Sequence, residues 1–495
     1  MPDRIIRPIA VLDRGVAVRR APWSRSGYPA PMSPIAPLLR RARIANSFAF
    51  GLQGFFFAVV LTELPQQKER FGLSDEVIVV SVVFVSLLAG GGSVVAERLA
   101  LRRSSRDAVR IGLLLVAVTG SAAAFAPNAA LLVAALGCYG IAVGIVDAST
   151  NMQAVFIQHG YGAFILSSFY AAWSAGSITG ALFVSGCEAL GVTLRVLLLA
   201  AASIVFVLGC ALGPHLLGVR DAETSPAETG ATETTGATAE RGLTRATEAT
   251  TESGATHPTA ERGSTEATTE TGATKATHPT SDAVATGTTV ALRAYLAFGV
   301  AMALVFAVDL AVGNWSALYL TDDLLATSAT AALALAAYQG TSLLARLAGD
   351  SLVRRFGPRR VVRVAASTGA LGLAIVVVAP GPVIAIAGFL VAGVGLPVIA
   401  PLCFSAAGQL ATGRGLDALI ARLNLFNYAG TLLGGGVIGA VAASFGHRAG
   451  FVLALVFAGV LIALARVFRY HQVASAPVTP GPGALNGRPT GPSGA

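Results

Sequence analysis

Twelve runs of mostly apolar residues constrain this chain more than any other feature, because each is about as long as a bilayer is thick. A helix needs roughly 20 apolar residues to cross the hydrocarbon core. Only 12% of the 495 residues are charged, about half the share in a soluble domain. We therefore predict an all-α membrane protein with twelve transmembrane helices. The runs lie near 44–64, 77–97, 108–126, 129–151, 164–187, 192–213, 291–320, 329–351, 361–379, 382–404, 417–443 and 448–469.

A hydrophilic stretch rich in Thr, Ala, Glu and Gly separates six runs from the other six. It contains a 21-residue repeat, in which Ala239–Gly242 recurs at Ala260–Gly263. A docking role for the repeat stays open beside our preferred interpretation, a disordered linker that cannot form a core. The chain can start at Met1 or at Met32. The predicted division is a basic disordered arm (1–43), a six-helix bundle (44–213), a cytoplasmic linker (214–288), a second six-helix bundle (289–470) and a disordered tail (471–495).

The arginines lie in short clusters at every second connection between the runs. The net charge of +9 therefore reflects the positive-inside pattern of a membrane protein and not a nucleic-acid-binding face. The pattern places both termini in the cytoplasm of a plasma (inner) membrane protein that crosses many times. We expect a monomer surrounded by lipid, which binds a small-molecule substrate, with protons as a further candidate partner and with no nucleic acid, metal or cofactor.

The two halves repeat each other at an offset of 253 positions. Glu97 then aligns with Asp350, Arg102 with Arg355, and Arg106 with Arg359. An acidic–basic junction that recurs after the same number of helices indicates an internally duplicated transporter with its site between the halves.

The stretch from Arg346 to Arg360, RLAGDSLVRRFGPRR, resembles the loop signature of the major facilitator superfamily. Other stretches are similar to its sugar-permease-related branch of poorly characterised bacterial facilitators: Leu64-Pro65 with Gly72–Ser74, Asp147 with Asn151, Ser168 to Gly180, and Asp309 to Leu320. The resemblance implies two bundles in the major facilitator fold that give alternating access by rocking.

Such a resemblance also implies a gate at the cytoplasmic seam, stabilising an outward-open state. Arg346 and Asp350 are four residues apart on one helix, so we expect them to pair. The candidate gating residues are Glu97, Arg98, Arg346, Asp350, Arg355 and Arg359.

Ionisable residues at membrane depth are functional candidates by default. Asp147 and Asp309 are the two best placed, and a proton relay must rest on one of them; Asp309 is preferred. For the Asn and Trp residues, helix–helix bonding is as plausible as substrate contact, and the Gly pairs are expected to serve packing. The predicted pathway comprises Asp147, Asn151, Tyr170, Trp173, Asp309, Asn314, Trp315, Asn424 and Asn427.

Three functions compete on this sequence. A secondary transporter is preferred over a facilitator-fold sensor or scaffold, and both over an enzyme acting on lipid. The chain has no phosphate-binding GxxxxGK[ST] motif and no HExxH motif, so we expect energy from a gradient and no enzymatic activity. Sugar-like uptake and efflux of drugs or metabolites both stay open.

Overall fold

The computed structural model describes residues 36–73, 75–218, 281–411 and 414–468, and every regular element among them is helical. Most of the predicted arm, linker and tail lies outside these residues, so the division into domains stays a prediction.

Seven helices make up the described part of the first half. They are α1 (Ala36–Thr62), α2 (Leu64–Phe71), α3 (Asp75–Arg102), α4 (Ser105–Ala124), α5 (Ala129–Tyr161), α6 (Leu166–Ala189) and α7 (Leu194–Leu212).

Eight helices follow in the second half, where two of the predicted crossings are interrupted. They are α8 (Ser281–Leu318), α9 (Ser328–Phe356), α10 (Pro358–Val378), α11 (Pro382–Gly395), α12 (Ile399–Gly408), α13 (Arg414–Leu432), α14 (Gly439–Phe445) and α15 (His447–Leu464).

The interruptions have local causes. A 3₁₀ turn at Leu396–Val398 separates α11 from α12 and contains Pro397, which has no N–H for the helical ladder. A π-helical turn at Leu433–Ile438 separates α13 from α14 and contains three consecutive glycines.

Short connections make successive long helices antiparallel, so arginines from alternate connections gather at one end of the bundle. We call this the Arg-rich end and the other the opposite end. The Arg-rich end is marked by Arg40, Arg41, Arg102, Arg103, Arg354, Arg355, Arg359 and Arg360.

Ten helical segments in the described residues are long and apolar enough to cross a membrane. Helices α6 and α9, with 24 and 29 residues, are also long enough but do not meet the same criterion of apolar composition. Twelve crossings therefore remain a prediction. These two helices supply many of the polar contacts described below.

Helix boundaries extend past several predicted runs. Helix α1 begins at Ala36 instead of 44, and α8 begins at Ser281 instead of 291. The hydropathy pattern marks only the part of a helix that lipid surrounds, whereas its backbone hydrogen bonds continue into the polar region.

Small residues bring the helices of the first half into backbone contact. Gly140 and Gly144 of α5 face α3 so closely that a Cβ at Gly140 would lie 2.5 Å from the carbonyl oxygen of Val85. Gly176 and Gly180 of α6 contact the backbone of α1 in the same way. The structure supports the packing interpretation of these glycines.

The chain that leaves α7 is fastened to the bundle by a buried amide. Gln153 Nε2 donates to the carbonyl oxygen of Leu217 at 2.9 Å, and the Leu217 N–H donates to Gln153 Oε1 at 3.1 Å. Leu216 and Leu217 are both buried. The first residues after α7 therefore occupy a fixed place beside α5.

Candidate functional site

Asp147 of α5 accepts hydrogen bonds from three side chains of α13. Its Oδ2 lies 2.9 Å from Asn424 Nδ2, 3.1 Å from Asn427 Nδ2 and 3.1 Å from the Tyr428 hydroxyl. The three donors share a helix face because residues three and four apart are neighbours. The side chain of Gln53 on α1 lies close to this carboxylate. A first-half acid is thus held by amide and phenol donors of the second half.

Asn151, one turn after Asp147, uses both ends of its amide. Its Nδ2 lies 3.4 Å from Asp147 Oδ1 and 2.9 Å from that residue's carbonyl oxygen. Its Oδ1 accepts from the Tyr170 hydroxyl at 3.1 Å. The fully buried amide therefore connects α5 to α6.

Arg346 of α9 projects from the second half against α6. Its guanidinium carbon lies 5.9 Å from the ring centroid of Tyr170 and 6.0 Å from that of Trp173, within cation–π range. Its Nη1 donates to Ser174 Oγ at 2.5 Å. Aromatic rings and a hydroxyl of the first half therefore hold a second-half cation.

The same guanidinium forms an ion pair with Asp309 of α8. Arg346 Nη2 lies 3.7 Å from Asp309 Oδ2, and the Tyr338 hydroxyl donates to Asp309 Oδ1. The Arg346 side chain is 7% exposed and that of Asp309 is 24% exposed. The carboxylate is therefore the more accessible partner of this ion pair, and the guanidinium is the more buried one.

These contacts join both predicted acids into one series, which we call the central polar chain: Asp147, Asn151, Tyr170, Arg346 and Asp309. It carries two carboxylates and one guanidinium. Protonation of either acid changes its net charge, and protonation of Asp309 also removes the ionic attraction to Arg346.

Two further acids connect the halves at the Arg-rich end. Asp350 of α9 accepts from the backbone N–H groups of Ser167 and Ser168, each at 2.9 Å, in the first turn of α6. We call this the helix-cap contact. Glu97 of α3 accepts from Arg422 Nε and Nη2 at 3.1 and 2.8 Å, and we call this the ion-pair contact.

The predicted pairing of Arg346 with Asp350 is wrong. Both side chains point towards α6, where each finds a separate partner, Ser174 for Arg346 and the helix N-terminus for Asp350. Spacing along one helix indicates which side chains share a face, but it does not indicate which of them bind a neighbouring helix instead.

Several other predicted residues lie outside the central polar chain. Asn314 is exposed, and Trp315 donates from Nε1 to the carbonyl oxygen of Gly434 at 3.4 Å within the second half. Arg98, Arg355 and Arg359 are exposed and form no ion pair with any described residue. Their gating roles stay predictions.

Two partners were missed by the sequence analysis. Tyr338 lies two turns before Arg346 on α9, so helical periodicity could have placed both on one face. Arg422 lies half a turn before Asn424 on α13 and resembles an ordinary basic residue near the start of the predicted apolar run at 417–443.

Comparisons with known proteins point to one family. The family model of the Major Facilitator Superfamily matches residues 279–492. A transporter of Sinorhizobium fredii, y4wD, is 27% identical over 427 residues, covering 85% of this chain and 96% of that protein. An MFS-type transporter of Yersinia pestis is 24% identical over 405 residues, covering 81% and 88%.

In sequence, the chain is similar to members of the major facilitator superfamily. Its fold is similar to that of the fucose:proton symporter FucP of E. coli (TM-score 0.61, 15% identity, covering 88% of this chain and 99% of that one). It is also similar to the proton:xylose symporter XylE (TM-score 0.64, 12% identity, covering 88% and 96%).

These similarities confirm the predicted resemblance to that superfamily and the all-α multi-pass membrane fold. The similar proteins are transporters and not enzymes, which agrees with the expectation that this chain catalyses no reaction.

Proposed function

We propose that this protein is a secondary active transporter that moves a small organic solute by alternating access, with a proton as the coupling ion. The observation that carries the proposal is the central polar chain, which joins an acid of the first half to an acid of the second half. Sites of duplicated transporters lie between the repeats, and this chain crosses that boundary at Asp147 and again at Arg346.

Proton coupling rests on the ion pair between Arg346 and Asp309. With Asp309 ionised, the guanidinium is attracted to α8 as well as to Ser174 of α6. Protonation of Asp309 neutralises the carboxylate and frees Arg346 to change partners. One proton then alters a contact that spans both halves, which is what coupling requires.

The described contacts at the Arg-rich end indicate the conformation. Asp350, Glu97 and Arg354 all bind the other half there, Arg354 through the carbonyl oxygen of Phe164 at 2.8 Å. The positive-inside rule makes this the cytoplasmic end of a plasma membrane protein, with both termini inside. The proposed state is therefore closed to the cytoplasm.

Asp309→Asn tests the coupling role. In proteoliposomes, the variant is expected to lose accumulation driven by a pH gradient and to retain exchange of labelled substrate, because exchange needs no net proton movement. Asp322→Asn is the matched control, since this exposed acid lies beyond the end of α8. Accumulation by the Asp309 variant with an unchanged pH dependence would place the coupling site elsewhere.

The substrate must be found before that assay. A thermal-shift screen against sugars, amino acids and drug-like cations identifies the class, and the hit supplies the labelled solute. The absence of gradient-driven flux for every stabilising compound would favour the sensor or scaffold function instead.

A further inference from the structure

A buried acid lies at the opposite end, away from the central polar chain. Glu63 connects α1 to α2 and is 1% exposed, and neither carboxylate oxygen has a hydrogen-bond partner among the described residues. An ionised carboxylate in such a place costs several kcal/mol unless it is paired. Transport as proposed above makes no use of this residue.

Gln67 stands one helical turn further on and is also buried. Its N–H donates to the carbonyl oxygen of Glu63 at 3.0 Å, so the backbone is helical through both residues and their side chains share a face. Gln67 Oε1 has no hydrogen-bond partner either. Two side chains therefore bring unsatisfied acceptor oxygens to one face, and a proton on Glu63 would supply the missing donor.

The surrounding charges make that proton more favourable. Burial raises the pKa of Glu63 from its ordinary 4.5 to about 7, and the negative charge of Glu188 on α6 contributes. Lys68, Glu69 and Arg70 follow on α2. Among the described residues, burial and Glu188 are the two causes that move the pKa of Glu63.

A side-chain hydrogen bond joins the α1–α2 junction to α6. Gln66 Nε2 donates to Glu188 Oε1 at 2.6 Å and ties α2 to α6. The α1–α2 junction at Glu63 is thus joined to α6 by a side-chain hydrogen bond.

We propose that Glu63 is a proton-binding site that controls the α1–α2 junction at the opposite end. The protonated acid donates to Gln67 Oε1 and the junction stays packed. Loss of the proton leaves a buried charge, which is relieved when the junction opens to water. The extracytoplasmic pH then regulates this corner of the first half whether or not the protein transports a solute.

The pH window follows from the two pKa values. Below pH 4.5 the acid is protonated in the packed and open states alike, so it has no differential effect. Between 4.5 and about 7 opening releases a proton, so the packed state becomes less favourable as the pH rises. Above about pH 7 the acid is ionised in both states, and the stabilisation of the packed state by the proton is fully lost.

Hydrogen exchange of the junction peptide, residues 57–73, measures this opening in the full-length protein in nanodiscs. After correction for intrinsic exchange, wild-type protection is expected to fall by about tenfold per pH unit from pH 5 to 7, since each opening releases one proton. Glu63→Gln is expected to keep its protection across that range. An unchanged pH profile in this variant would overturn the proposal.

Two further variants keep Glu63 and test its surroundings. Glu188→Gln removes the neighbouring charge, and Gln67→Met removes the acceptor at similar volume. Both are expected to lower the pH at which protection levels off. A higher value for Gln67→Met would mean that the amide donates to a carboxylate, and a profile that follows sodium concentration would indicate a metal cation. Either result would overturn the proposal.

Discussion

Glu97 and Asp350 occupy equivalent positions in the two repeats, yet they connect the halves by different chemistry. Asp350 is buried and accepts two backbone N–H groups at the first turn of α6, where the helix dipole also favours a negative charge. Glu97 pairs with the long side chain of Arg422, which is 63% exposed. Backbone donors are already fixed by their helix, whereas an exposed Arg loses conformational entropy when it pairs. The two contacts between the halves at the Arg-rich end are therefore unequal, and we expect the helix-cap contact of Asp350 to be the stronger one.

The largest expected effect is that of Asp350→Asn. The amide retains one acceptor oxygen but turns an NH₂ group towards the second backbone N–H. Hydrogen bonds to charged groups contribute about 1.5–3 kcal/mol, so the population open at the Arg-rich end should rise roughly 10- to 150-fold.

Spin labels at exposed positions 103 and 359, in a cysteine-free background, report this opening as a longer interlabel distance. Cysteines placed at the opposite end should become less accessible at the same time. Unchanged interlabel distances would mean that Asp350 affects only the topology of the chain, and that the helix-cap contact is not stronger than the ion-pair contact.

A medium effect is expected from Gly349→Ala, which alters the helix-cap contact without touching the carboxylate. The new Cβ would lie 3.0 Å from Ser167 Cβ and 3.1 Å from Val398 Cγ1. Such overpacking costs about 1–3 kcal/mol, part of which is offset by the higher helix propensity of Ala. The open population should rise roughly tenfold.

Gly340→Ala on the same helix is the control, because no atom lies within 4 Å of its added Cβ. Equal interlabel distances in the two variants would show that the close approach of α9 to α6 does not support the contact.

The smallest effect is expected from Arg422→Gln, which removes the ion-pair contact. Arg422 is 63% exposed and Glu97 is 13% exposed, so solvent weakens the pair mainly on its Arg422 side. Exposed ion pairs contribute about 0.2–1 kcal/mol, and we expect the open population to rise about sixfold or less. Salt screens exposed charges, so the difference from wild type should shrink at 0.5 M NaCl, while that of Asp350→Asn persists. A larger effect for Arg422→Gln than for Asp350→Asn would reverse the comparison.

The sequence predicted the helices and singled out both intramembrane acids as candidates, because hydropathy and charge within an apolar run are local properties. It also gathered Asp147, Asn151, Asn424 and Asn427 into one candidate set. It did not predict that Arg346 binds Asp309 instead of Asp350, since that choice depends on how α9 is rotated against α6 and α8. Nor did it predict that Trp315 lies outside the central polar chain, because its hydrogen-bond partner Gly434 is 119 residues away in the sequence.

The buried amide of Gln153 has a consequence for how this chain can vary. Because Leu217 is fastened at the point where the chain leaves α7, the predicted linker is an insertion in the sequence that follows a fixed exit from the bundle. Closing a flexible loop costs only about 0.6 kcal/mol more for each doubling of its length. Tandem duplication can therefore lengthen this insertion with little penalty to folding, whereas a deletion that reaches back to Leu217 also removes part of the bundle.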